Sequence, residues 1–133
     1  MKKHFFLVAI FVIPLTTLGY ELKVVINNVK SDQGNIWIEL LDVNKDSFKD
    51  TKIRAQEGVS IMSFKGLPEG KYAVRLFHDE NVNDELDTNF IGIPKEGYGF
   101  SNDAHGRFGP YDFKKWLIEV KKDETIQVNL EYL

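Results

Sequence analysis

Apolar residues in this chain recur at every second position, in short bursts cut by turn signals, and that rhythm favours strands over helices. Leu22, Val24 and Ile26 face one way, with Lys23, Val25 and Asn27 opposite. Past the breaker region Lys30 to Gly34, Ile36, Ile38 and Leu40 alternate with Trp37, Glu39 and Leu41. Val59, Ile61 and Ser63 alternate with Ser60, Met62 and Phe64, and Ile53 with Ala55 suggests a brief element before them. Leu67-Pro68-Glu69-Gly70 is a turn, because proline presets the backbone at its second position and glycine suits its exit. Tyr72, Val74, Leu76 and His78 then share one face of a strand and Ala73, Arg75 and Phe77 the other. Two last strands, Trp116 to Val120 and Thr125 to Tyr132, flank the charged turn at 121–124. A two-residue period sets one row of each strand against a core. No sustained helical stripe accompanies it, and Asp112 to Leu117 allows one helical turn at most. Parallel units need crossover helices, so the expected architecture is an antiparallel β-sandwich of about seven strands, immunoglobulin-like or transthyretin-like.

The first 19 residues stand outside that pattern. Lys2 and Lys3 precede an unbroken apolar run from Phe5 to Ile13, and Thr17-Leu18-Gly19 offers the small residues that a signal peptidase needs. This is the form of a secretory signal, shorter than the roughly 20 apolar residues of a spanning helix. The expected organisation is a signal peptide at 1–19 and one sandwich domain at 20–133, periplasmic or secreted after cleavage near Gly19. The chain has no cysteine, which excludes disulfides, thiolate metal centres and lipid attachment at cysteine. Without Lys2 and Lys3 the 17 bases fall to 15 against 20 acids, a net charge of −5. A nucleic-acid partner needs a basic surface, so none is expected, nor is an integral membrane segment in the mature chain.

The segment from Asp79 to Asp103 is long for a connection in so small a domain, and such loops carry function or are disordered. Its aromatic and aliphatic residues Phe90, Ile91, Ile93, Tyr98 and Phe100 favour an ordered loop, anchored to the body and turning at Gly92, Gly97 and Gly99. It opens on a crowd of oxygen donors. Asp79, Asn81, Asn83, Glu85 and Asp87 recur at every second position, and a curling loop can turn such a set toward one hard cation. Calcium accepts six to eight oxygens in flexible geometry, whereas magnesium demands a stricter octahedron. These five are the expected metal ligands, with Glu96, Asn102 or Asp103 as distant completers of the shell. The EF-hand pattern fits only at Asp79, Asn81 and Asn83: Asp84 replaces the turn glycine and Phe90 the bidentate glutamate. Against a bound ion stands the ordinary preference of Asp and Asn for solvated turns.

Two blocks carry a family resemblance. Tyr72-Ala73-Val74-Arg75-Leu76-Phe77-His78-Asp79-Glu80-Asn81 with Leu86-Asp87-Thr88-Asn89 is one, and Gly92-Ile93-Pro94-Lys95-Glu96-Gly97-Tyr98-Gly99-Phe100-Ser101-Asn102 is the other. Together they resemble a family of secreted bacterial proteins classed as domain of unknown function 2141. The resemblance implies an envelope or secreted β-sandwich with no established reaction. The family pattern often has glycine where this chain has Val82 and Asp84.

Catalysis has few footholds. His78 beside Asp79 can titrate near neutrality, but the alternation groups it with core residues, where a histidine bonded to loop backbone is the ordinary outcome. Ser101, Asp103 and His105 come without a nucleophile elbow or oxyanion pocket. Arg107 can pair with the acidic loop or an anionic ligand. Tyr98, Phe100, Phe108 and Tyr111 form either a satellite core or a shallow ligand surface. The expected function is therefore a non-enzymatic, exported module. Calcium is its one candidate cofactor, and a protein or glycan of the cell envelope its partner. A small hydrolase using His78 with nearby carboxylates is the alternative.

Overall fold

The computed structural model describes residues 2–12, 19–106 and 109–133. The expected cleavage residues Thr17 and Leu18, and both Arg107 and Phe108, lie outside the described residues. Strand β1 (Tyr20–Val29) pairs on one side with β4 (Gly58–Leu67) and on the other with β10 (Glu124–Asn129). A second sheet runs β3 (Ser47–Arg54), β2 (Asn35–Leu41), β5 (Gly70–Asp79) and β6 (Tyr98–Phe100), with β9 (Ile118–Val120) also on β5. Two short strands, β7 (His105–Gly106) and β8 (Gly109–Pro110), pair with each other.

The two sheets close on one core, as a sandwich does. Leu22, Val24 and Ile26 from β1, Phe64 and Leu67 from β4 and Val128 from β10 meet Ile36, Ile38 and Leu40 from β2, Val74 and Leu76 from β5 and Val120 from β9. Each fully buried aliphatic side chain there contributes about 1.5–3 kcal/mol. In β1, β2 and β5 the buried residues form one of the two rows that the alternation separates.

Four features differ from the sequence expectation. β1 and β10 run parallel, Leu22 opposite Glu124 through Asn27 opposite Asn129. No crossover helix is needed, because the intervening second sheet itself forms the connection. β3 is an eight-residue strand rather than a brief element. It is an edge with mostly exposed side chains, so it carries no apolar row to read, and its charges discourage pairing with other chains. Trp116 sits in a 3-10 turn, Phe113–Trp116, not in a strand. Finally, Phe90 and Ile91 do not anchor the long loop: they are 99% and 65% exposed.

The outer face of the second sheet is also apolar. Leu41 faces Ala73 and Trp37 faces Phe77 across the β2–β5 ladder. A satellite core of Leu41, Ala73, Ala104 and Trp116, with Phe100, Phe113 and Leu117 against it, covers one end of that face. The other end stays open.

Candidate functional site

Three regions carry chemistry. The first is His78, which closes the inward row of β5 and is fully buried. Its Nε2 lies 2.6 Å from the Gln33 carbonyl oxygen and its Nδ1 2.8 Å from the Tyr132 hydroxyl. A carbonyl only accepts, so Nε2 carries a proton. The Tyr132 hydroxyl also accepts the Lys30 N–H at 3.0 Å. Both ring nitrogens tie the β1–β2 turn to the C-terminal segment.

The second region is the acidic loop. Asp79 is buried, and its oxygens accept the backbone N–H groups of Asn83 and Asp84 at 3.2 and 2.8 Å. Glu85 is exposed, and its N–H donates to Asn83 Oδ1 at 3.1 Å. The rest converge. Asn81 and Asn83 donate their side-chain amides to the two oxygens of Asp87, at 2.5 and 2.6 Å. Glu96 reaches the same carboxyl from farther along the chain and hydrogen-bonds it. Glu96 is only 6% exposed, and its Oε2 has no hydrogen-bond partner. Burial, then Asp87, then the charges of Asp79 and Glu80 push the Glu96 carboxyl up to about 8. Hydrogen bonds from Asn83, Glu96 and Asn81 hold Asp87 below the usual carboxylate range. The pair therefore shares one proton, held on Glu96. Among the described residues no three His, Cys, Asp or Glu side chains group at metal-holding spacing. Of the distant completers, Glu96 joins the cluster. Asn102 instead donates to the Lys115 and Leu117 carbonyls, and Asp103 accepts both nitrogens of Asn129.

The third region is a groove of about 1050 Å³ on the open part of the second sheet's outer face. Trp37 and Phe77 lie on its floor, 6.4 Å apart and within 14° of parallel. Beside them Arg75 Nε donates to Glu39 Oε2 at 2.6 Å, a partly solvated pair worth about 0–1 kcal/mol. Phe100 and Trp116, 4.4 Å between centroids, form one wall, and Leu86, Ile93 and Pro94 contribute to another. A turn held by Asn89 Oδ1, which accepts the N–H groups of Ile91 and Ile93 at 3.0 Å, puts Phe90 at the loop's tip. Of the aromatic residues that the sequence offered as a satellite core or a shallow ligand surface, Tyr98 and Phe100 line this groove and Phe100 also packs against the satellite core; the Trp37–Phe77 floor escaped the sequence reading, because Glu39 and Arg75 break the apolar row on that face.

The two blocks named from the sequence frame these regions. β5 supplies His78, Asp79 and the floor of the groove, and the Gly92–Asn102 block supplies Glu96, Tyr98 and Phe100. The family model described as "Uncharacterized protein conserved in bacteria (DUF2141)" matches residues 24–128. The chain belongs to this DUF2141 family. No curated protein and no solved structure matches it. Like the rest of the match, Ser101 lies inside the DUF2141 region, and its hydroxyl is committed to the fold: Oγ donates to the Trp116 carbonyl and accepts the Val74 N–H. His105 packs against the rings of Tyr98 and Phe100 while Asp103 is engaged by Asn129, so Asp103 does not orient His105.

Proposed function

We propose that this DUF2141 domain is an exported, non-enzymatic recognition module that grips a protein of the bacterial envelope in the groove of its second sheet. The carrying observation is the groove itself, where the half-buried Trp37, Phe77 and Phe100, backed by the buried Trp116, meet Glu39, Lys45, Asp50 and Arg75 in the lining. Aromatic residues and arginine are what protein interfaces concentrate at their centres, with few other charges. Phe90 and Ile91 project beside it and extend the apolar surface, which on a soluble domain marks an interaction site. We read the scaffold as immunoglobulin-like or transthyretin-like, a two-sheet frame whose end loops carry recognition.

Export rests on the leader. Phe5 to Phe11 are exposed apolar residues that contribute nothing to either core, as a segment destined for removal should be. No helix among the described residues is long and apolar enough to cross a membrane. The hydrolase alternative draws no support from His78, whose ring is sealed from solvent with both nitrogens engaged.

Photo-crosslinking in the envelope tests the reading. A crosslinking side chain at position 90 should give a discrete, protease-sensitive adduct, and one at Ile61, on the opposite sheet, should not. Equal yields at both positions, no adduct, or an adduct that resists protease and yields to glycosidase would overturn it.

A further inference from the structure

The charges on the groove floor do not balance where they stand. Residues directly opposite one another across the second sheet run Asp50, Glu39, Arg75 and Phe100 in one row. The next row runs Lys52, Trp37, Phe77 and Tyr98. Asp50 and Glu39 are therefore like charges in facing positions on β3 and β2, an arrangement that works against a sheet. The bases around them are committed to other groups. Arg75 Nε donates to Glu39 Oε2, leaving Asp50 aside. Lys52 pairs with Asp84 at 3.5 Å and lies 5.2 Å over the Trp37 ring. Lys49 donates to the Lys65 carbonyl oxygen at 3.0 Å. Lys45 stands over the rings of Trp116 and Phe113, 5.4 and 6.0 Å from their centroids. Among the described residues no ion pair engages Asp50. The groove thus carries an unanswered negative charge one ladder step from two near-parallel aromatic rings.

We propose that the partner enters the groove with an arginine, set in an apolar segment, whose guanidinium lies against the Trp37–Phe77 floor and pairs with Asp50. This rests on the groove reading above and supplies the chemistry of its partner. A guanidinium joins a planar face that stacks on aromatic rings to a fork of N–H donors that fits a carboxylate. Both demands meet at this place, since Asp50 and Trp37 are diagonal neighbours on β3 and β2. Glu39, which Arg75 engages through one oxygen, adds its charge at the same end. Lysine answers the charge but offers no plane, so the site favours arginine. The apolar flanks of the segment follow from the walls, Phe100 on one side and Leu86, Ile93 and Pro94 on another. A pair of facing acids is a local cost to the sheet, of the kind that binding surfaces carry.

The test is fluorescence polarisation with two labelled, serine-capped peptides of leucine and phenylalanine, one with a central arginine and one with citrulline, its neutral isostere. The arginine peptide should bind the protein at least about tenfold more tightly, and added salt should narrow the difference. Asp50→Asn should erase the preference while leaving the affinity for the citrulline peptide unchanged. Asp50 is exposed on an edge strand, so the variant should fold, and its melting curve verifies this. Glu69→Gln, at an exposed acid in the β4–β5 turn, should keep the preference, which separates pairing at Asp50 from general attraction to an acidic chain. Equal affinity for the two peptides, or a preference that survives Asp50→Asn, would overturn the arginine inference and leave the groove reading standing. Binding of neither peptide would overturn it as well, and the adduct from position 90 then decides the groove reading by itself.

Discussion

Val82 sits at φ +56° and Asp84 at +63°, in the left-handed region. An aspartate tolerates that region, but a β-branched valine is a steric outlier there. These are the two positions where the family resemblance leads one to expect glycine, and both backbones adopt a conformation that glycine favours. Relief of about 1–2 kcal/mol of strain exceeds the 0.5–1 kcal/mol entropy cost of glycine. Val82→Gly is therefore expected to raise stability by about 0.5–1 kcal/mol in chemical denaturation, and a loss would show that the strain is absent. Gly34 gives the opposite case. It has φ +72°, and a Cβ built on it would lie 2.0 Å from the Asp79 carbonyl oxygen. Gly34→Ala is expected to cost about 2 kcal/mol or more, because both the turn and the end of β5 must shift. His78 was legible at this scale: its place in the inward row announced burial, and the carbonyl of Gln33 supplies the expected backbone partner.

The acidic loop behaves as an element with its own pH dependence. Glu96 titrates near 8 in the fold against an ordinary glutamate value when unfolded, so between those values the folded state holds the extra proton. Its contribution is complete below the unfolded value and is lost as pH rises through about 8. Asp87 works in the other direction, its contribution present above the unfolded aspartate value and lost as pH falls through its lowered one. In chelator-containing buffer, melting temperature should fall as pH rises from about 5 to about 8, and Glu96→Gln should flatten that slope. A slope unchanged in the variant would place its source elsewhere. At the tip, Phe90→Ser should leave stability within about 0.5 kcal/mol, since the ring is 99% exposed, while reducing partner capture. How far the elements could be read from the chain follows from where they sit. β1, β2 and β5 declared themselves because one row of each is buried. β3 did not, since an edge strand in water has no row to hide. The alternate spacing of oxygen donors does not fix side-chain direction once a loop curls. Asp79 turned to backbone amides, Glu85 to solvent, and Glu96, nine residues beyond Asp87, turned in.

At the scale of the whole molecule, the parallel pairing of β1 and β10 joins the two ends of the domain. No local pattern announces that pairing, because strand alternation reports which face is buried and not which neighbour lies beside it. Removing residues 121–133 would take away β10 with Val128 and Leu130, both buried, and the Tyr132 hydroxyl that holds His78. Those two side chains alone are worth about 3–6 kcal/mol, a large share of the 5–15 kcal/mol that holds a typical domain folded. The truncated chain is expected to lose its cooperative unfolding transition by circular dichroism, and a sharp transition would show that β10 is dispensable. The second sheet's outer face completes the picture, covered at one end by the satellite core and open at the other, where the groove lies. The account turns on that open end, and the most direct measurement is the crosslinking yield from position 90 in a Trp37→Ala background whose folding is verified by melting. If the groove floor holds the partner, the yield falls about tenfold or more, as loss of a central aromatic contact does; a yield equal to that of the unsubstituted floor would contradict the account.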